Sequence, residues 1–262
     1  MFTAHFQMKR QPFTERTPVD QILQDERIKQ GLARLKYLTD SGTIAMISGS
    51  TGVGKSSLIK LFVHSLGRNR CQPVYLHLTD VKATSLLKLI VAAMGESPKN
   101  TKDRLFSQIF DKSQKSEATS LLIIDEAHLL NSEALTDLRL LVSSALDEAP
   151  PLKIILSGQE PLVKNLRKSC HLDLAHRISV QYHLHSLSPA GTCAYMDHQM
   201  TSAGSNDKVF EVAVKTSIHE YAGGVPRQRG NIATACLIQA AAQNAKKITR
   251  EIFVQAVGEC QF

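Results

Sequence analysis

Gly49-Ser50-Thr51-Gly52-Val53-Gly54-Lys55-Ser56 is the stretch from which the rest of the chain can be read. Before it, residues 43–47 (Thr-Ile-Ala-Met-Ile) form a short continuous apolar run of the kind a buried strand needs. After it, residues 55–66 place Leu58, Ile59, Leu61 and Phe62 on one face of a helix. A glycine-rich turn between strand and helix, closed by Lys-Ser, has the spacing of a phosphate-binding loop. The glycines let the backbone wrap an anion and aim N–H groups at it, and the helix N-terminus adds partial positive charge. On this reading Lys55 reaches the β and γ phosphates of ATP, and the Ser56 hydroxyl ligates Mg²⁺. Gly49, Ser50, Thr51, Gly52, Val53, Gly54, Lys55, Ser56 and Ser57 then line the nucleotide. The bland alternative, a glycine-rich turn with an accidental lysine, does not account for the strand–loop–helix context.

A second motif completes the first. Leu121-Leu122-Ile123-Ile124-Asp125-Glu126 is an apolar run ending in two acids. A buried strand of this kind delivers carboxylates to the carboxyl edge of a parallel sheet, where open α/β folds bind ligands. Asp125 is placed to hold Mg²⁺, and Glu126 to orient and deprotonate an attacking water. Taken alone, the run could end at a solvated acidic turn; the preceding loop makes the catalytic reading the better one. Asp125-Glu126-Ala127-His128 spells a helicase-like box, but a helicase needs a second such domain, for which the chain is too short. His128 is expected to open the next helix. Ser157-Gly158-Gln159, at the end of a later strand, falls where a γ-phosphate sensor belongs, and Gln159 is the preferred candidate; turn chemistry before Pro161 is the alternative.

Around these motifs the apolar runs 74–78, 121–124 and 153–156 read as core strands, and 178–184, which alternates, as an edge strand. Helical patterns separate them, at 85–94 and 132–144 among others. Strands alternating with helices imply an α/β fold, an open parallel sheet with crossover helices on both faces. From Ser188-Pro189, an N-cap followed by proline at the first helical position, the pattern is helical only. Its helices carry Phe210 to Tyr221 and stop at Gly223-Gly224, then run from about 232 to 245, then follow Thr249. The expected division is a lead segment and helix at 1–40, an αβα nucleotide-binding domain at 41–187, and a helical lid domain at 188–262.

Composition narrows the partners. The 262 residues are 43% hydrophobic, enough for one good core and a small satellite. No run of 18 apolar residues appears, so neither a membrane span nor a secretory signal is expected. Cys71, Cys170, Cys193, Cys236 and Cys260 are scattered, without a Cys-x-x-Cys pair, which points to a reducing cytoplasm rather than disulfides or zinc. The net charge of +7 favours an anionic partner such as nucleic acid, or else simply a basic surface. The segment before the acidic strand holds Lys82, Lys88, Lys99, Lys102, Arg104, Lys112 and Lys115. Within it Thr79, Lys82, Lys99, Lys102 and Arg104 are candidates for DNA phosphate contacts, against the alternative of a solvated basic face. Aromatic residues are 5% and tryptophan is absent, so no base-stacking platform is apparent.

The order of loop, acidic strand, sensor, Arg177 before the final strand and Gly224-Val225-Pro226-Arg227 in a helical lid resembles the AAA+ ATPases. Within them the chain is similar to the ExeA/TniB/TnsC-type group. The resembling stretches include Phe6 with Pro12-Phe13, residues 33–38, 124–130 and 137–141, Ile155 to Leu162 with its Gly-Gln-Glu-Pro-Leu, and His176-Arg177-Ile178. The resemblance implies an AAA+ P-loop NTPase with a five-stranded parallel sheet and a small helical lid. It implies a homo-oligomer, ring or helical filament, with ATP at subunit interfaces. Arg177 would then be an arginine finger supplied in trans, and Arg227 would sense the nucleotide in cis. After Arg227 the family favours an apolar residue and Asn, whereas here Arg229-Gly230 precede Asn231, making Arg229 a second candidate for that role.

One branch of the group serves secretion and carries further regions after the ATPase, which are not expected here. The other consists of compact ATPases that assemble with ATP on double-stranded DNA. They mark a target and recruit or activate a transposase, together with a target-selection protein. The second branch is the leading expectation: a cytoplasmic, Mg²⁺-dependent ATPase of DNA transposition, not attached to a membrane, whose hydrolysis drives disassembly. A secretion-assembly ATPase, a helicase or clamp loader, and a non-hydrolysing scaffold are the rivals.

Overall fold

The structure is a computed structural model and describes residues 2–14, 17–67, 70–78, 82–143, 152–205 and 208–259. The expected DNA contact Thr79 and the last residue of the helix expected over 132–144 lie outside the described residues. The chain forms two compact units, one of residues 26–49 and 55–184 and one of residues 1–25, 50–54 and 185–262.

In the first unit, α2 (Glu26–Ser41) precedes β1 (Ile44–Ser48), followed by α3 (Lys55–Ser65) and β2 (Cys71–His77); a short α1 (Phe2–His5) belongs to the other unit. Next come α4 (Ala83–Ala93), α5 (Lys102–Lys115), β3 (Thr119–Asp125) and α6 (Ser132–Leu141). β4 (Leu152–Gly158), α7 (Glu160–Leu166), α8 (Leu172–Ala175) and β5 (Ile178–His183) complete it. The five strands form one parallel sheet in the order β2-β3-β4-β1-β5.

Burial follows position in that order. β1 is buried at every residue, and β3 and β4 at all but one. Covered on both faces, they must be apolar throughout, which is why they read as continuous runs. β5 alternates, as its sequence implied for an edge strand. β2 corrects an expectation: read as a core strand, it is the opposite edge, burying Cys71, Val74 and Leu76 while Gln72, Tyr75 and His77 face outward. Pro73 is tolerated there because an edge strand can spare an N–H donor. A register shift lies between β1 and β5, where the Ser179 hydroxyl accepts from Thr43 N–H and donates to the Ile44 carbonyl.

α2 ends against a half-buried lysine. Lys153 Nζ donates to the carbonyls of Leu38 at 2.8 Å and Thr39 at 2.9 Å in the last turn of the helix, where a cation is favourable; the Leu38 carbonyl also accepts from Gly42 N–H at 3.0 Å. The core of this unit is Ile, Leu and Val from β1–β4, α4, α5 and α6, each fully buried side chain contributing about 1.5–3 kcal/mol. α5, which carries much of the basic segment, was not anticipated as a helix. It buries Leu105 and Ile109 and leaves Asp103, Arg104, Asp111 and Lys115 exposed.

The second unit is helical. α9 (Pro189–Ser202), α10 (Val212–Ala222), α11 (Pro226–Ala242) and α12 (Arg250–Glu259) enclose a core of Met196, Phe210, Ile218, Ile232, Leu237 and Ile252. Ser188 caps α9 by accepting from Gly191 N–H at 3.1 Å, with proline following it as expected. The N-terminal segment packs into this unit rather than standing with α2 as a lead segment. Phe2, Phe6 and Met8 join its core, Lys9 N–H donates to Ala203, and Arg10 donates to Ser202 at 2.6 Å. Residues 1–25 thus belong with the helical unit, and α2 with the sheet.

Candidate nucleotide-binding site

At the carboxyl edge of the sheet the two acidic-motif residues take different surroundings. Asp125 closes β3 with 2% of its surface exposed. Its Oδ2 accepts from Ser56 Oγ at 2.9 Å and Tyr75 Oη at 3.0 Å. Its Oδ1 accepts from Ser157 Oγ at 2.8 Å and Glu126 N–H at 3.1 Å. Burial by itself raises this carboxyl's pKa, but donation from Ser157, Ser56, Tyr75 and the Glu126 N–H outweighs it and holds the group below its ordinary value. Burial and the neighbouring Asp125 carboxylate push the Tyr75 phenol up, so it stays a donor.

Ser56, in the first turn of α3, and Asp125, at the end of β3, meet at one point. A hydroxyl and an ionised carboxylate oxygen 2.9 Å apart are hard oxygen donors, the set a Mg²⁺ ion takes, so the residues present fit that ion. Lys55 starts α3, is 6% exposed, and donates from Nζ to the Gly49 carbonyl at 2.9 Å. Tyr75 and Ser157 were missed. Ser157 lies inside the Ser-Gly-Gln stretch, and its position at the end of an apolar strand is the signal that marks it. Tyr75 sits mid-strand on β2, where only the pairing of β2 with β3 brings it to Asp125.

Glu126 follows in a left-handed backbone conformation, φ 57° and ψ 33°, unusual for a residue with a side chain. Such strain is kept where surrounding structure holds it, commonly at functional sites. His128 does not open α6. It lies in a 3₁₀ turn, Ala127–Leu129, and α6 has its own cap in Asn131, which accepts from Ala134 N–H. The tight turn after Glu126 swings the imidazole back instead, with Nδ1 3.2 Å from Glu126 Oε2 and Nε2 3.1 Å from Gln159 Nε2.

In the helical unit, loop residues 50–54 group with the start of α11. Gly52 has φ +74°, and a Cβ there would stand 2.6 Å from Arg227 Cβ and 3.3 Å from Val225 Cγ1. Both the backbone sign and the close approach demand glycine. Arg227 N–H donates to the Gly52 carbonyl at 3.3 Å, and its side chain is exposed. Arg229, the second candidate from sequence, is 0% exposed. Its guanidinium donates to the Gly224 carbonyl at 2.5 Å and lies over the Tyr195 ring, 5.1 Å from the centroid. Two residues apart on α11, Arg227 meets the loop and Arg229 braces the preceding turn.

Arg177 is exposed at the end of α8, before β5, in the expected place. Lys82, Lys99 and Arg104 are exposed. Lys102 is not equivalent to them: its ammonium lies 2.9 Å from Glu133 and 2.8 Å from the buried Asp137. Those carboxylates hold its charge and raise its pKa, so Lys102 is committed within the protein. No helix among the described residues is long and apolar enough to cross a membrane.

Residues 38–166 match the family described as "AAA domain". General secretion pathway protein A of Aeromonas hydrophila is 29% identical over 259 residues, which is 95% of this chain. The chain spans only 46% of that protein's length. Among solved structures, the Aeropyrum pernix ORC2 protein in its ADPNP–ADP complexes aligns over 96% of this chain and 71% of its own, with TM-score 0.72 and 17% identity. Drosophila ORC bound to DNA aligns over 98% of this chain and 65% of its own, with TM-score 0.73 and 15% identity.

Proposed function

From the AAA+ P-loop NTPase fold that the sheet order and these likenesses establish, we propose that the chain binds ATP with Mg²⁺ and hydrolyses it. The observation that carries this is the Ser56–Asp125 contact at 2.9 Å, with Glu126 next in the chain and Lys55 at the helix start. Ser56 and Asp125 would hold Mg²⁺, which when bound neutralises phosphate charge. Lys55 and the N–H groups of residues 50–54 bind the phosphates. Glu126 takes a proton from the attacking water as its oxygen bonds the terminal phosphorus and the bond to ADP breaks, releasing ADP and phosphate. Arg177 of a neighbouring copy stabilises the developing charge, and Arg227, seated on the loop at Gly52, reads occupancy in cis. Measuring ATP turnover tests this: Glu126→Gln cuts it to a small residual rate while binding of an ATP analogue persists, and an unchanged rate refutes the assignment.

The ATPase is further read as cytoplasmic and as a homo-oligomer assembling on double-stranded DNA, marking a target for a transposase, with hydrolysis driving disassembly. Supporting this are the +7 charge, the exposed Lys82, Lys99 and Arg104, and the sequence resemblance set out above. Electron microscopy with duplex DNA and a slowly hydrolysed ATP analogue tests it. DNA-encircling rings or filaments are expected, and their absence together with ATP-independent binding sinks the DNA reading. A second reading, work on protein partners in secretion, is favoured by the likeness to General secretion pathway protein A over 95% of the chain. Turnover stimulated by a secretion complex and indifferent to DNA would establish it instead.

A further inference from the structure

Glu126, His128 and Gln159 come from three segments, the end of β3, the 3₁₀ turn and the residue after β4, yet their side chains form one line. Gly158 gives the turn room. A Cβ there would stand 3.1 Å from His128 N and 3.0 Å from Leu162 Cδ2, a tight approach that glycine relieves where the turn carrying His128 settles against the end of β4.

The order of atoms along the line is consistent with one placement of the ring's proton. Nδ1 of His128 faces the Glu126 carboxylate at 3.2 Å, and a carboxylate tolerates a buried imidazole nitrogen there only as a donor. With the proton on Nδ1, the other ring nitrogen is an acceptor, and it meets the amide nitrogen of Gln159, a donor, at 3.1 Å. The two contacts are mutually consistent, and Gln159 selects the tautomer that points a proton at Glu126. Nδ1 is buried and not aligned with a hydrogen-bond acceptor, so a small rotation of the Glu126 carboxylate completes the bond. Glu126 holds a left-handed backbone at this same point.

We propose that His128 is a positioning residue for the general base: it orients the Glu126 carboxylate through Nδ1–H, and Gln159 sets the ring's tautomer. This rests on the ATPase reading and deepens it. Gln159, expected as the sensor of the terminal phosphate, acts through His128, so that nucleotide contact at the end of β4 and alignment of the base at the end of β3 are one event.

The experiment compares His128→Ala, His128→Asn and Gln159→Leu in the whole chain, reading ATP turnover and analogue affinity separately. His128→Ala is expected to lower kcat about 10²-fold with affinity unchanged, as a misplaced catalytic group does. His128→Asn, whose amide nitrogen can occupy the place of Nδ1, is expected to restore most of that loss. In a Glu126→Gln background His128→Ala is expected to cost nothing more. An unchanged or increased kcat in His128→Ala, equal losses in the Ala and Asn variants, or an additive loss in the double variant overturns the proposal. A second measurement is independent of turnover. Ring-nitrogen NMR, with His128 assigned by its absence in His128→Asn, should show the Nδ1–H tautomer in the wild-type chain and its loss in Gln159→Leu. An Nε2–H tautomer in the wild-type chain refutes the relay even if ATP turnover is normal. Absence of turnover in the wild-type chain, with the Nδ1–H tautomer present, refutes the ATPase reading instead.

Discussion

Asp125 at the sheet edge and Arg229 in α11 are both buried charges, at 2% and 0% exposure, and their surroundings treat them in opposite ways. Asp125 is met by donors from α3, β2, β4 and its own chain neighbour, three of them hydroxyls that can rotate away. Arg229 is met by the backbone carbonyl of Gly224 and the face of Tyr195, which cannot. A buried charge with exchangeable partners remains available to a ligand. One with fixed partners is part of the framework.

The comparison can be broken most forcefully at Asp125. Asp125→Ala should cut ATP turnover about 10²–10³-fold, since several kcal/mol of metal-assisted stabilisation is lost, while the fold persists. Steady-state rates and circular dichroism on the same sample decide it. Arg229→Met should do the reverse: it removes hydrogen bonding from a charged group and costs about 2–3 kcal/mol of stability. Denaturant unfolding should show the loss, with turnover per folded molecule close to wild type. If Arg229→Met abolishes turnover without destabilising, the two charges are not distinct in kind.

Gly52→Ala sharpens the contrast from the loop side. A side chain there collides with Arg227 Cβ and strains a φ of +74°, so analogue affinity should fall about 10-fold by titration, a misplacement effect. Ser157→Ala tests how Asp125 is held. The folded pKa of Asp125 is depressed, so its contribution to stability is present above the unfolded value and is lost as pH falls through the folded one. Removing the Ser157 donor raises the folded pKa, so acid unfolding of the nucleotide-free chain should move to higher pH, with about 1 kcal/mol lost at neutral pH. The smallest effects belong to the basic segment. If DNA is the partner, Lys99→Ala and Arg104→Ala should each lower the salt slope of binding by about 1. Lys102→Ala should leave the slope unchanged and reduce stability by about 1 kcal/mol, because it strips a partner from the buried Asp137.

Much of the carboxyl edge of the sheet was legible because it is built from short contiguous runs. Residues 49–56 and 121–126 each carry their structural context and their chemistry together, and the all-buried strands β1, β3 and β4 announce themselves by unbroken apolarity. The edge position of β2 was not legible, since Val74, Leu76 and Leu78 look alike whether one neighbour strand is present or two. α5 was obscured by its charge, with only Leu105 and Ile109 as fully buried apolar anchors. His128 was read along the chain, as the start of a helix, when its contacts run across it.

The sequence by itself determined the loop, the acidic strand and the alternation of strands and helices, because glycine torsions, hydrophobic periodicity and the lysine–serine pair are local properties. Only the tertiary structure decided which polar groups share a carboxylate, which of Arg227 and Arg229 faces the loop, that Lys102 is spent on Glu133 and Asp137, and that Glu126, His128 and Gln159 fall in line. Those are matters of strand order and turn direction, which bring together residues far apart in the chain and which no spacing between neighbours encodes.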